Sequence, residues 1–293
     1  MRQSRFRPLL LSSFALAFAA AVGATGSVPP AAVSPEDLAL TIHAEDNDAT
    51  RAAAARILAA AEGGNSYAMY DLGSLQRQSR RKGAAVAPYD LERSITWLTQ
   101  AFERGRVTAA YKLSLAHADS GNPLEAMAWA QVFSYYRRED TKTAGPDDQL
   151  VAALLKDAYA RLDRGQEAGI RERTIALLET HGPAFEANRA HPEPRHVDWA
   201  VGADQCEFLR PMNGSWVTAR TETTGLVEFL VAIKPGGGAA EVVALDSAPE
   251  SMHERELRAL AQRVHCSTPS DQTRYLFQDF TFRAGPRLKL AEN

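Results

Sequence analysis

A short phrase occurs twice in this chain, 41 residues apart (Gly64 to Gly105). Each copy places a glycine before a segment whose small and apolar residues recur at positions i and i+4. This spacing is that of one face of a helix, so the phrase predicts repeated helix pairs. Repeated helix pairs usually stack on their neighbours and form long surfaces that bind partner proteins. The residues shared by the two copies are Glu62, Gly64, Ala68, Tyr70 and Leu72, which recur as Glu103, Gly105, Ala109, Tyr111 and Leu113.

The composition is that of a globular protein with room for two ordinary domains. The chain has 293 residues, of which 45% are hydrophobic and 24% charged, and its net charge is −3. The one concentrated basic run is residues 77–82, for which we expect a solvated loop rather than an anion site. This charge distribution argues against a nucleic-acid-binding protein.

The first 26 residues are typical of a secretory signal peptide. Three arginines within the first seven residues precede an apolar stretch at 9–22, and small residues follow it. That stretch is shorter than the ~20 residues that a membrane-spanning helix requires. We therefore expect cleavage before a mature N-terminus between Ala24 and Val28, a periplasmic or secreted location, and no membrane span in the mature chain.

An exported location bears on the chemistry of the two cysteines, Cys206 and Cys266. An even number of cysteines in an oxidising compartment favours a disulfide. The alternative is two separate buried thiols. A bridge would tie the entrance of the C-terminal segment to a helix that we expect to pack on its sheet.

Residues 34–185 are predicted to form an α solenoid of stacked helix pairs that ends near Gly182 and Pro183. The phrase resembles the Sel-one-like repeat, a relative of the tetratricopeptide repeat, over about residues 49–138. The first copy carries the resemblance through Gly64, Asn65, Ala68, Leu72, Gly73, Asp90 and Trp97. The resemblance implies an adaptor or scaffold role. Tyr70 and Tyr111 lie off the two apolar stripes, so they are the candidate residues of a partner-binding groove, with helix packing as the alternative.

The pattern changes from helical to alternating after a proline-containing linker, residues 186–204. Residues 205–284 are predicted to form a small α+β domain, in which an antiparallel sheet carries one covering helix. This segment resembles the TonB C-terminal domain through residues 225–231, a glycine turn, residues 242–249 and the closing 280–283. We expect the two halves to pack as separate cores that fold independently. The histidines of the linker are expected to be exposed rather than to bind a metal.

No recognisable catalytic pattern accompanies these elements. The sequence contains no nucleophile elbow, zinc-protease motif or phosphate loop, so we assign no catalytic, cofactor-binding or metal-binding residues. The sequence thus favours an exported, non-enzymatic interaction or scaffold protein of the bacterial envelope, with a protein or peptide partner. The alternatives are a divergent TonB-like transport component, and an envelope hydrolase or enzyme inhibitor with an unrecognised site.

Overall fold

The structure is a computed structural model. It describes residues 33–42, 45–82, 87–140, 147–189, 206–208, 224–248, 254–267, 271–283 and 289–290. The expected signal peptide and most of the expected linker, with its histidines, lie outside these residues.

The first part of the described chain is helical, and helices adjacent in the sequence pack against each other from α1 to α7. The helix α8 packs on α4 and α6 and is preceded by a 3-10 turn at Gln166–Gly169. The helices are α1 (Pro35–Ile42), α2 (Asp48–Glu62), α3 (Ser66–Lys82), α4 (Leu91–Glu103), α5 (Val107–Asp119), α6 (Pro123–Asp140), α7 (Asp147–Ala160) and α8 (Ile170–Arg189).

The repeated glycines serve the same purpose in both copies of the phrase. Gly64 (φ 97°) and Gly105 (φ 90°) adopt left-handed backbone conformations just after α2 and α4. Such a conformation ends a helix and is strained for any residue with a Cβ atom. Asn65 then accepts a hydrogen bond from the Ala68 amide at 2.9 Å. Its counterpart, Arg106, makes no side-chain cap and instead places its guanidinium over the Tyr67 ring.

Close approach of α3 and α4 explains a further glycine. A Cβ atom on Gly73 would lie 2.6 Å from the Leu98 side chain, and the Ser94 hydroxyl donates to the Gly73 carbonyl oxygen at 2.6 Å. Small residues at positions 73 and 94 therefore allow the two helix axes to approach each other.

The last helix does not end where the sequence suggests. We expected Gly182 and Pro183 to end it, but α8 continues through Pro183 to Arg189. Phe185, two residues after Pro183, is buried and stacks on Phe102 with 4.6 Å between ring centroids. This packing holds in helical form a segment that would otherwise be interrupted by proline.

The C-terminal part forms the antiparallel sheet that the alternating pattern predicts. It contains β1 (Cys206–Phe208), β2 (Gly225–Ile233), β3 (Ala239–Ala248), helix α9 (Glu254–Ala261), β4 (Val264–Cys266), β5 (Arg274–Arg283) and β6 (Lys289–Leu290). The main sheet has the order β3-β2-β5-β6, and β1 pairs with β4 separately. The predicted hairpin is therefore confirmed.

Both faces of this sheet are covered, whereas the sequence predicted a cover of one helix. On one face, Val227, Phe229 and Val231 pack with α9 in a core that belongs to the C-terminal part alone. On the other face, Leu226, Leu230 and Leu245 join the core of the helices. All nine residues of β2 are buried as a result. The expectation of two separately packed cores is wrong, because the helical part itself forms the second cover.

The contacts between the helices and the main sheet come mainly from odd-numbered helices. Helices α1 and α3 contact β3, α7 contacts β2 and β5, and α5 reaches both β2 and β3 through the Lys112 side chain. The helices α4, α6 and α8 pack on one another behind this layer. We call the sheet-facing surface of α3 and α5 the inner helical face. Within the described residues, no helix combines the length and apolar character needed to cross a membrane.

Candidate functional site at the helix–sheet interface

A buried cluster of charged side chains lies where the inner helical face contacts the sheet. The sheet contributes Glu228 from β2 and Asp246 from β3, which are directly opposite each other in the strand register. The helices contribute Arg77 from α3 and Lys112 from α5. Each of these four residues is less than 9% exposed. We call these four residues the interface cluster.

Lys112 is at the centre of the interface cluster. Its ammonium group forms ion pairs with both Glu228 and Asp246. It also donates a hydrogen bond to the Ser74 hydroxyl at 2.9 Å and lies 4.0 Å from the centroid of the Tyr70 ring. An aromatic face attracts a cation, so the ring adds to the stabilisation of the charged form. Lys112 thus joins two strands to the helices α3 and α5.

Arg77 and Tyr70 complete the contacts between the two parts. The Arg77 guanidinium donates to Asp246 at 3.0 Å and to Asp119, at the end of α5, at 3.4 Å. The Tyr70 hydroxyl donates to Glu228 at 2.8 Å. Two buried cations therefore face two buried carboxylates, with the partly exposed Asp119 at the edge. Such pairing offsets much of the large cost of removing charges from water.

The surroundings keep these groups in definite protonation states. Burial alone would lower the pKa of Lys112, but the charges of Asp246 and Glu228 outweigh it and raise that pKa above its ordinary value. The pKa of Arg77 is likewise raised, because Asp246 and Asp119 outweigh the effect of burial. Burial, with the nearby charges of Glu228 and Asp246, raises the pKa of Tyr70 well above 10.0. The lysine is therefore charged and the phenol neutral near neutral pH.

This charge state argues against covalent catalysis at Ser74. A serine beside a lysine can act as a nucleophile when the lysine is neutral and takes the hydroxyl proton. Here Lys112 is an ammonium group that donates to the Ser74 oxygen, so it has no lone pair with which to accept a proton. The small cavity beside these side chains measures about 10 Å³, which is room for about one water molecule.

The structure places Tyr70 and Tyr111 in the interior rather than in an open groove. Their exposed fractions are 5% and 3%, and Tyr111 packs on Phe133 with 5.5 Å between ring centroids. Burial also raises the pKa of Tyr111. Both rings lie in the core that the helices share with the sheet. In this conformation they are packing residues, the alternative that the sequence left open.

The sequence did not identify Lys112, Glu228 or Asp246 as members of a site, and the role expected for Arg77 is wrong. Residues 77–82 continue α3 instead of forming a solvated loop, and Arg77 is buried. Glu228 is the single charged residue of β2, Asp246 follows the apolar run 242–245 in β3, and Lys112 interrupts the apolar face of α5. An isolated charge in an apolar element is the sequence signal that could have identified these residues.

The predicted disulfide is confirmed. Cys206 and Cys266 are bonded to each other and are partners in the register of β1 and β4. The bridge lies on the α9 side of the sheet, where Cys266 is buried beside Val264. It therefore closes the C-terminal part on the face opposite the interface cluster.

A second concave feature is an open groove between α6 and α7 of about 540 Å³. It is lined by Gln131, Ser134, Tyr135, Arg138 and Leu155, and Tyr135 is 48% exposed. Its walls are mixed in polarity. Among the described residues, no group of three or more histidine, cysteine, aspartate or glutamate side chains is arranged to hold a metal ion.

Comparison with known proteins adds no family to this description. No protein-family model matches the chain, and neither the curated proteins nor the solved structures contain a match. The fold and the interface cluster are therefore interpreted from the chain itself.

Proposed function

We propose that this protein is an exported, non-enzymatic interaction or scaffold protein of the bacterial envelope, built on an α solenoid of stacked helix pairs. One observation carries the proposal: the inner helical face holds a folded sheet through buried ion pairs and apolar contacts. A helical layer that binds a β element through ion pairs and apolar contacts has the side chains needed for protein recognition. The disulfide is consistent with export.

The charge state of the buried lysine supports a non-enzymatic role. Ser74 has a lysine neighbour, but that lysine is protonated and its partners are carboxylates. A fluorophosphonate probe, which reacts with activated serines, should therefore leave the intact protein unlabelled. Labelling of Ser74 under native conditions would favour the hydrolase alternative.

Site-specific photocrosslinking in the cell envelope tests the interaction role. A photoreactive amino acid is placed at Tyr135 in the α6–α7 groove, at Tyr159 on the exposed side of α7, and at Lys234 at the end of β2. These side chains are exposed, so the substitutions should not disturb the core. We expect a discrete protein adduct from at least one helical position. An absence of adducts at all three positions would contradict the proposal.

The TonB-like transport component remains the second candidate. The order of hairpin, helix and closing strand favours it, because β2, β3, α9 and β5 follow one another as the resemblance implies. In that case the adduct should form at Lys234 and not at Tyr135 or Tyr159. The same three variants thus separate the two functions.

A further inference from the structure

We propose that the sheet is a detachable occupant of the inner helical face, and that an acidic extended segment of a partner protein takes its place. In this state Lys112 and Arg77 bind the carboxylates of Glu228 and Asp246. In the open state the same two cations, beside Tyr70 and Tyr111, face a partner segment with acidic side chains. The inference rests on the proposed interaction function and specifies its recognition surface.

The sheet can leave the helices without losing its own structure. Strand β2 pairs with β3 on one side and with β5 on the other, so its backbone hydrogen bonds are internal to the sheet. Its α9 face has a separate core that includes Phe229, Leu257 and Phe280. The Cys206–Cys266 bridge holds that side covalently. Among the described residues, no backbone–backbone hydrogen bond joins the sheet to the helices, so every hydrogen bond that separation breaks involves a side chain.

The helical part likewise keeps most of its core when the sheet leaves. The buried sheet residues that enter the helical core are Leu226, Leu230, Leu245 and Ala248, and the partly buried Tyr275 and Phe277 pack against it. The remaining members come from the helices, and the aromatic group of Phe102, Trp129 and Phe185 lies on α4, α6 and α8. These three helices pack behind the layer that contacts the sheet.

The chemistry of the interface favours reversible contact. Charged groups that are buried on docking recover their hydration when the interface opens, so an ionic interface costs less to separate than an apolar one of equal area. The ion pairs also define the ligand. Lys112, which lies over the Tyr70 ring, and Arg77 recognise carboxylates on an extended backbone, as they bind the opposed Glu228 and Asp246.

Covalent labelling of Lys112 in the full-length protein tests the opening. An amine-reactive reagent is applied under native conditions, and hydrogen exchange of the β2 amides is followed in parallel. The variant E228Q/D246N removes both carboxylates that pair with Lys112 and leaves Arg77 with Asp119, so we expect Lys112 to react at least about tenfold faster than in the wild type. The β2 amides should remain protected. The matched control is E125Q, which breaks an ion pair between Glu125 and Arg173 outside the interface and should leave labelling unchanged.

A peptide probe tests the partner chemistry. It carries a copy of residues 225–233, including the glutamate of position 228, between uncharged polar tails that keep it soluble. We expect it to bind E228Q/D246N at least about tenfold more tightly than the wild type, in which the sheet competes. A copy with glutamine at that position should lose the binding.

Four results would overturn the inference. If Lys112 reacts only when the β2 amides also exchange, the protein unfolds rather than opens. If Lys112 reacts equally in the wild type and in E228Q/D246N, the sheet stays fixed on the helices. Equal binding of both peptides would contradict an acidic partner segment. If photocrosslinks form at Tyr135 or Tyr159 while Lys112 stays unreactive, the interaction function stands and this inference alone fails.

Discussion

A single ammonium group, that of Lys112, separates two carboxylates that the strand register places side by side. Like charges directly opposite each other destabilise an antiparallel pair. The lysine converts this repulsion into attraction, and Arg77 adds a second cation at Asp246. The sequence pattern correctly placed alternate residues of β2 on two faces. It could not show that the face bearing Glu228 is covered, because the partners of Glu228 come from α3 and α5, more than a hundred residues away.

Replacement of Lys112 by methionine should reveal this dependence. The variant leaves Glu228 and Asp246 buried without a shared cation, so we expect the free energy of unfolding to fall by about 3–5 kcal/mol. Urea unfolding of the full-length protein measures the change.

The control for this prediction neutralises Lys112 together with the two carboxylates that it pairs with. The variant K112M/E228Q/D246N removes the cation together with both carboxylates and should recover part of the lost stability, although Arg77 then lacks Asp246. A single variant, K112M, that unfolds within about 0.5 kcal/mol of the wild type would show that the ion pairs contribute little.

At the scale of elements, the hairpin turn between β2 and β3 shows what the sequence could and could not predict. The proline–glycine run at 235–238 correctly indicated a tight turn. The pattern gave no sign that β4 crosses this turn, where the Cys266 amide donates to the Gly237 carbonyl oxygen at 2.8 Å. Gly236 and Gly237 therefore differ in their surroundings although their backbone conformations are alike.

Alanine substitutions at Gly236 and Gly237 form a matched pair. Both residues have left-handed backbones, with φ values of 92° and 90°. A Cβ atom on Gly237 would lie 2.2 Å from the Cys266 carbonyl oxygen, whereas one on Gly236 meets none of the described residues within 4 Å. We expect G236A to cost about 1–2 kcal/mol, from backbone strain alone. G237A should cost about 3 kcal/mol or more, because strain and the clash with β4 add. Equal shifts of the urea midpoint would contradict the close approach of β4.

The disulfide is the second element-scale feature, and its chain separation sets its expected effect. The bridge joins residues 60 apart, for which the loop-entropy relation gives about 4 kcal/mol. We therefore expect C266A to lower the free energy of unfolding by about 2–5 kcal/mol. The double variant C206A/C266A should lose a similar amount, since either change removes the same bridge. Insensitivity of the wild-type midpoint to a reducing agent would contradict a stabilising role.

At the scale of the whole molecule, the sequence predicted the helical part and the sheet but not the packing of one against the other. The repeated phrase and the change to period two identified a helical part and an antiparallel sheet. The contact between them depends on Leu226, Leu230 and Leu245, whose alternation is equally consistent with a sheet face against any other cover. Local periodicity specifies which residues are buried, whereas the identity of the partner surface is a long-range property of the fold.

Alkaline pH should weaken the packing of the helices against the sheet. The pKa values of Lys112, Tyr70 and Tyr111 are all raised in the folded protein, the last two first of all by burial. A group with a raised folded pKa contributes stability that is complete below its unfolded pKa and is lost as the pH rises toward the folded value. Unfolded tyrosine and lysine lose their protons near pH 10. The free energy of unfolding should therefore be steady from about pH 7 to about pH 9 and fall steeply above about pH 10.

The variant Y111F provides the control for this alkaline prediction. It removes one buried phenol that titrates in the unfolded chain, so its decline above about pH 10 should be shallower than that of the wild type. The difference in tyrosinate absorbance between the wild type and Y111F, recorded during the same urea titrations, should appear together with unfolding, because the buried Tyr111 phenol stays protonated while the sheet covers it. Identical slopes for Y111F and the wild type would show that the buried Tyr111 phenol is not linked to alkaline unfolding.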